Sequence, residues 1–318
     1  MASKILITGS IAYDILLGYE GSFADAIDPK SLQNLSLSFF SPHFARHHGG
    51  TAANIAWNLR LLGGEPLIVG TVGSDGGAYK ALLSERGIDV TYIEECKDHV
   101  TATAIIGTDQ SERQITFFHP GADAVGTWPE LADERDDLQY AIVSPRDTQQ
   151  MTTAMLWCEQ QKVPVFFDPG QQIIAFSADE LKRLTKMSAG VIVNDYEWGL
   201  LKDALKVNEE TVLNLTPLVI VTHGEKGVTL YEKEGFKALP SCTPDRVVDP
   251  TGAGDAFRGG FLFGLARGWD VETACKLGAA MGSKVVEQEG TLLDRLDREE
   301  IWARAERAFG QKLPDIQT

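Results

Sequence analysis

Six short runs dense in Ile, Val, Leu and Phe are spread along the chain: KILITGS, EPLIVGTVG, QYAIVSP, VPVFFDPG, AGVIVNDYE and PLVIVTHG. None alternates apolar with polar positions, so each is expected to be a strand buried on both faces. Helical periods lie between them. Asn54 to Leu62 carries apolar residues at 55, 56, 59 and 62, and Thr152 to Gln161, Asp179 to Met187 and Thr273 to Val286 behave similarly. This alternation predicts parallel strands joined by crossover helices: an α/β fold, a three-layer α/β/α sandwich with a mostly parallel central sheet. Ligands of such sheets sit beyond the carboxyl ends of the strands. The polar segments GSIAYD, VSPRD, FDPG, VNDYE and VTHGEKG follow the apolar runs on that side.

Two stretches break the rhythm. Residues 15–47 and 101–118 contain β-type segments, the second a hairpin around GTDQSER. They read as a small antiparallel sheet acting as a lid, or else as an edge extension of the main sheet. With no internal repeat and no Pro-, Gly- or Ser-rich linker, residues 1–318 are expected to form a single domain carrying that lid.

Composition removes several classes of function. Charged residues make up 23% and hydrophobic ones 43%, which fits neither disorder nor a low-complexity scaffold. A formal charge of -16 argues against a surface for nucleic-acid phosphates. No stretch approaches the length of a membrane span, and the start MASKILITGSIAYD lacks a small-residue cleavage site, so a cytoplasmic location is expected. Cys96, Cys158, Cys242 and Cys275 show neither CxxC spacing nor a paired His, and read as reduced, mostly buried residues.

The sharpest chemical feature is Asp249-Pro-Thr-Gly-Ala-Gly-Asp255-Ala-Phe-Arg-Gly-Gly260, between the strand-like DRVV and an apolar helix. Small residues at 252 to 254 let the backbone wrap an anion, and the first amides of a helix are unpaired and carry its positive dipole end. Beside that hole, Asp255 is placed to take the proton of an attacking hydroxyl while the amides stabilise a transferring phosphoryl group. A simple helix cap is the competing reading.

These residues resemble the C-terminal signature of the PfkB, or ribokinase-like, family of carbohydrate and nucleoside kinases. Gly49-Gly50-Thr51-Ala52-Ala53-Asn54-Ile55-Ala56 through Gly63-Gly64 resembles its N-terminal signature, and the likeness covers nearly the whole chain. The resemblance implies Asp255 as catalytic base, with the amides of Gly252, Ala253 and Gly254 as anion hole. Asn194-Asp195-Tyr196-Glu197 is similar to the family's NxxE element, implying that Asn194 and Glu197 help organise Mg²⁺ through water. Thr222-His223-Gly224-Glu225-Lys226-Gly227 resembles the nucleotide loop, implying ATP contacts at Thr222, Gly224 and Gly227. Asp249 and Thr251 match positions implied to hold a monovalent cation such as K⁺, with a further part of that site near Gly290.

For the acceptor, GSIAYD is similar to the family's substrate motif. Asp14 can accept two hydrogen bonds from a vicinal diol, as in a ribose, and Gly49, Gly50 and Asn54 can approach the same sugar. The spelling of GSIAYD, FHPGA, VFFDPGQ and VNDYE looks most like the bacterial nucleoside and adenosine kinase branch. A phosphorylated acceptor would call for a cation near Asp14, and Arg46 and Arg113 are the candidates. A base needs flat apolar walls, for which Phe39, Phe40, Phe44, Phe117 and Phe118 are available, with His43, His47, His48 and His119 as polar contacts. Arg258 either helps hold the γ-phosphate or lies on an exposed helix face.

The expected function is therefore ATP-dependent phosphorylation of a ribonucleoside 5′-hydroxyl, by a monomer or a homodimer joined through the lid. Alternatives are a ribokinase or fructokinase acting on a free sugar, and a non-catalytic nucleoside-binding relative. Neither GxxxxGK[ST] nor a strand-linked GxGxxG occurs, which sets aside P-loop and dinucleotide-binding enzymes.

Overall fold

The computed structural model describes residues 4–27 and 36–315; the 28–35 portion of the first lid stretch lies outside the described residues. The chain begins β1 (Lys4–Thr8), β2 (Ala12–Tyr19), α1 (Phe23–Ala26), β3 (His43–Gly49), α2 (Thr51–Leu61), β4 (Glu65–Gly73) and α3 (Gly77–Glu85). It continues β5 (Ile93–Cys96), β6 (Ala102–Asp109), β7 (Gln114–His119), β8 (Leu138–Val143), α4 (Thr148–Gln161), β9 (Val165–Phe167) and α5 (Ala178–Met187). Next come β10 (Gly190–Asn194), α6 (Asp195–Leu205), α7 (Glu209–Leu213), β11 (Leu218–Thr222), β12 (Val228–Glu232) and β13 (Gly235–Leu239). It closes with α8 (Ala253–Ala266), α9 (Val271–Val285) and α10 (Arg298–Phe309).

Among the described residues, the main sheet is nine-stranded, in the order β13-β12-β11-β10-β9-β8-β1-β4-β5. It is parallel from β11 to β5, and β12 and β13 extend one edge as an antiparallel hairpin. The six apolar runs are β1, β4, β8, β9, β10 and β11, and their lack of alternation has a direct cause. Ile5, Ile7, Ile68, Ile142, Ile192 and Ile220 enter one buried cluster with α2, α8, α9 and α10. Their neighbours Leu6, Leu67, Val69, Val143, Val191 and Val219 enter a second cluster with α4, α5 and α6 on the opposite face. Two faces buried under helices require apolar residues at every position, giving the three layers.

Residues 245–248 correct one expectation: DRVV is not a strand, and Val247 and Val248 are exposed. The segment is held instead by the end of α9, where the amides of Val248 and Asp249 both donate to the Val286 carbonyl.

The two β-rich stretches form a separate sheet of order β3-β2-β6-β7, not an extension of the main one. It is mixed, not purely antiparallel: β2–β3 and β6–β7 are antiparallel, whereas β2 and β6 run parallel. Both β2 and β6 leave the carboxyl ends of main-sheet strands, β1 and β5, and so emerge in the same direction.

The Gly259-Gly260 pair sets the helix spacing. A Cβ on Gly259 would lie 3.0 Å from the Ile55 carbonyl of α2, and one on Gly260 would lie 2.9 Å from the Gly278 Cα of α9. Close backbone approach at these points brings α2 against α8, and with it Asn54 against Asp255.

Candidate active site

Helix α8 starts at the glycine turn. Gly252, its N-cap, has φ 81°, a left-handed conformation that a side chain would strain. Ala253 N–H closes a turn onto the Pro250 carbonyl at 3.3 Å. Asp255 sits in the first turn, partly open to the cleft, where its Oδ2 accepts from Asn54 Nδ2 at 2.8 Å. Burial pushes the Asp255 carboxyl up to about 6; Arg258 and the Asn54 amide pull it down, while Asp168 and Asp14 add to the rise. The like-charge effect of Asp14 on Asp255 puts both acids in one electrostatic neighbourhood. Asp14 and Asp255 also both raise the buried Tyr79 hydroxyl, after the larger effect of its burial, and that hydroxyl donates to the Gly49 carbonyl at 2.8 Å.

Asp14 belongs to lid strand β2. Its row across the sheet is His47, Asp14, Ala104 and Phe118. Residues paired in register point to one face, so Phe118 and His47 share the Asp14 side. The neighbouring row, Arg46, Ile15, Ile105 and Phe117, points the other way, as do Phe44, His48 and His119. Of the five phenylalanines read as base walls, Phe44 and Phe117 therefore lie on the far face. Phe39 packs edge-on to Tyr19 and Phe23 in the lid's own small core, with ring centroids 4.9 and 5.1 Å apart. Arg46 stacks over Tyr13 at 3.6 Å and lies 3.5 Å from Asp75, while Arg113 belongs to the hairpin tip. Neither cation is on the Asp14 side of the sheet near the acid.

Burial raises the Asp14 carboxyl, with His47 lowering it and Asp249 raising it. Gly49 leaves room for that carboxylate: a Cβ there would lie 2.2 Å from Asp14 Oδ2. Gly50, at φ 91°, lets α2 begin against the β1–β2 turn, where Ala52 N–H donates to the Ser10 carbonyl at 3.0 Å.

Arg258 is not on an exposed helix face. It is 7% exposed and its Nη2 contacts Asp168 Oδ1 at 2.5 Å. Asp168 follows directly on β9, at the carboxyl end of the strand, and no local sequence signal links it to Arg258, 90 residues away. Glu197 joins this charged cluster: burial raises its carboxyl, Asp168 adds to the rise, and Arg258 opposes it.

On the nucleotide side, Asn194 and Thr222 are register partners at the carboxyl ends of β10 and β11. Asn194 and Glu197 form a reciprocal capping box: Glu197 N–H donates to Asn194 Oδ1 at 2.9 Å and Asn194 N–H to Glu197 Oε2 at 2.8 Å. Glu197 Oε1 lies outside the cap. Gly224 and Gly227 have φ 58° and 100°, and a Cβ on Gly227 would lie 2.0 Å from the Leu239 carbonyl. Lys226 is exposed, and His223 fixes the loop through Asp195 and through Thr229 Oγ1 at 2.8 Å. Asp249 accepts Thr251 N–H at 2.9 Å and Gly290 N–H at 3.1 Å, tying the α8 turn to the segment after α9.

Comparison with known proteins fits this geometry. The model of the pfkB family carbohydrate kinases matches residues 21–297. The chain belongs to the pfkB family. A nucleoside kinase of Methanothermobacter thermautotrophicus is 31% identical over 271 residues, 84% of this chain and 87% of that protein. The nucleoside kinase of Burkholderia thailandensis in complex with inosine superposes with a TM-score of 0.86 at 36% identity, covering 98% of this chain and all (100%) of the other. The same enzyme in complex with ADP-inosine gives a TM-score of 0.84 at 37% identity, with 99% and 98% covered. This pfkB chain is thus a kinase that transfers phosphate to a hydroxyl group. Among its described residues, no helix is long and apolar enough to cross a membrane, and no group of three or more His, Cys, Asp or Glu side chains could hold a metal ion. All four cysteines are free, three of them buried.

Proposed function

We propose that this chain phosphorylates the 5′-hydroxyl of a ribonucleoside with ATP as donor, Asp255 acting as general base. What carries the reading is that Asp14 and Asp255 act on each other as like charges, with Asp14 on a lid face that presents Phe118 and His47 and no arginine beside the acid. Asp14, with Gly49 giving its carboxylate room, would hold the ribose diol, and Gly50 and Asn54 at the start of α2 would approach the same sugar. Phe118, 54% exposed on that face, would lie against the base. Placement of Arg46 on the far face counts against an acceptor already bearing phosphate. Inosine in the Burkholderia relative supports a nucleoside.

Asp255 accepts the proton of the attacking hydroxyl, and a carboxyl held near the working pH suits that exchange. The amides at 252–254 offset charge on the transferring group, Ala253 first giving up its weak turn bond. Asn194, Thr222, Gly224 and Gly227 would take the nucleotide. Mg²⁺ retains most of its waters and needs few carboxylates, which fits a single buried Glu197 with Oε1 outside the cap; the ion would neutralise phosphate charge. Asp249 and Thr251 would hold a monovalent cation with main-chain oxygens of the adjoining loop; the two amides already bonded to Asp249 leave it fewer lone pairs for that ion. Exposed Phe44 and Phe117 on the outer lid face support a homodimer through the lid over a monomer.

ADP release with adenosine, inosine, cytidine, ribose and fructose tests the substrate. Turnover of at least one nucleoside is expected to exceed that of both sugars. Preference for ribose or fructose over every nucleoside refutes the reading in favour of a sugar kinase. Stabilisation by a nucleoside without ATP consumption would make the chain a silent binder.

A further inference from the structure

We propose that Thr291 is a positioning residue for Asp255, acting through the orientation of the Asn54 amide. The inference rests on the reading of Asp255 as base. An asparagine amide has a donor end and an acceptor end of almost equal size, and its neighbours decide which way it faces. Here Nδ2 donates to Asp255 Oδ2 at 2.8 Å, and Oδ1 accepts from Thr291 Oγ1 at 2.7 Å. Turned around, the amide would set Oδ1 against a carboxylate oxygen, an arrangement that suits only a protonated Asp255. By offering its proton to Oδ1, the Thr291 hydroxyl holds the donor end toward the acid and favours the ionised base.

The surroundings leave this arrangement little slack. Asn54 is 3% exposed and Thr291 2%. Thr291 Oγ1 lies 3.0 Å from the His48 carbonyl of lid strand β3, so the same hydroxyl has a second, longer acceptor. The other side of the residue packs on the anion-hole turn, where a Cβ on Gly252 would lie 2.9 Å from Thr291 Cβ and Cγ2. Its neighbour Gly290 is bonded to Asp249. One buried threonine thus joins the 252 turn, the lid and the donor to the base, without itself touching a reacting atom. Its hydroxyl serves Asn54, and its methyl serves the turn.

The two roles separate by substitution. Thr291→Val keeps the shape and the methyl contact but removes the hydroxyl; Thr291→Ser does the reverse. For Thr291→Val, kcat is expected to fall about tenfold and the acid limb of the pH–rate profile to move upward by roughly half a unit to one unit, the loss of one hydrogen bond to the ionised form. In Thr291→Ser the limb should stay at the wild-type position. A Val variant with the wild-type limb, or a Ser variant impaired where Val is not, overturns the proposal in favour of packing alone. Should Thr291→Val melt below the assay temperature, Thr291→Ala against Thr291→Ser gives the same comparison: a limb shifted in Ala and not in Ser supports the proposal, and equal limbs overturn it. Asp255→Asn run beside these keeps the two readings apart. Full turnover in that variant removes the base itself and with it this proposal, whereas an inactive Asp255→Asn with an unshifted Thr291→Val overturns only the role of Thr291.

Discussion

Asp255→Asn is expected to lower kcat by ~10²–10⁴-fold while leaving the affinity for the acceptor within a few-fold of wild type. The substitution keeps the shape of the side chain and an oxygen able to accept from Asn54, so the groups proposed to hold the acceptor at 14, 49, 50 and 54 stay in place. What it removes is the basic oxygen. A companion expectation concerns pH: with the carboxyl raised to about 6 by burial, wild-type activity should fall below that pH as Asp255 takes up a proton. The stability sign is opposite. A carboxyl raised from 3.8 to about 6 favours folding fully below the lower value, and that contribution is lost as pH rises through the upper one. Activity lost on acidification through Asp255 is therefore expected to return on neutralisation, without unfolding. Turnover unchanged in Asp255→Asn would refute the assigned role.

Arg258→Leu carries the second large effect. The guanidinium is buried against Asp168, whose side chain is 2% exposed, so its removal strands a carboxylate without its counter-charge. Breaking one partner of such a pair costs about 3–5 kcal/mol, which should lower the melting temperature by roughly 5–10 °C. Arg258 also lowers the Asp255 carboxyl, so its loss should move the acid limb of activity upward. Replacing both partners, as Asp168→Leu with Arg258→Leu, removes the stranded charge and should recover most of the stability. Catalysis should not recover with it. A single variant that melts with wild type would mean that the pair is solvated in solution.

Much of this architecture was legible because the parallel strands are buried on both faces. Every residue of β1, β4, β8 and β10 to β11 then has to be apolar, or nearly so, and the runs announce themselves. Strands β5, β12 and β13 lie at or near the edges with exposed positions, carry no such run, and passed unmarked. DRVV read as a strand from its valines, yet its partners are the end of α9 and not a sheet edge.

The glycine turn before Asp255, the NDYE cap and the Gly49-Gly50 pair were visible as local signals, since φ values and close approaches impose residue types at single positions. Side-chain partners brought from afar were not. Asp168 meets Arg258 across 90 residues and Thr291 meets Asn54 across 237, and no spacing rule links them. The lid aromatics were found as a set, but only pairing register divides Phe118 from Phe44 and Phe117, because a shift of one residue reverses every side chain.

The most direct test is a crystal structure of the chain with a nucleoside and a non-hydrolysable ATP analogue. The 5′-oxygen is expected within about 3 Å of an Asp255 carboxylate oxygen, with the ribose diol on Asp14. A nucleoside bound with its 5′-oxygen away from Asp255, or an analogue whose phosphates avoid the 252–254 amides, would contradict the account.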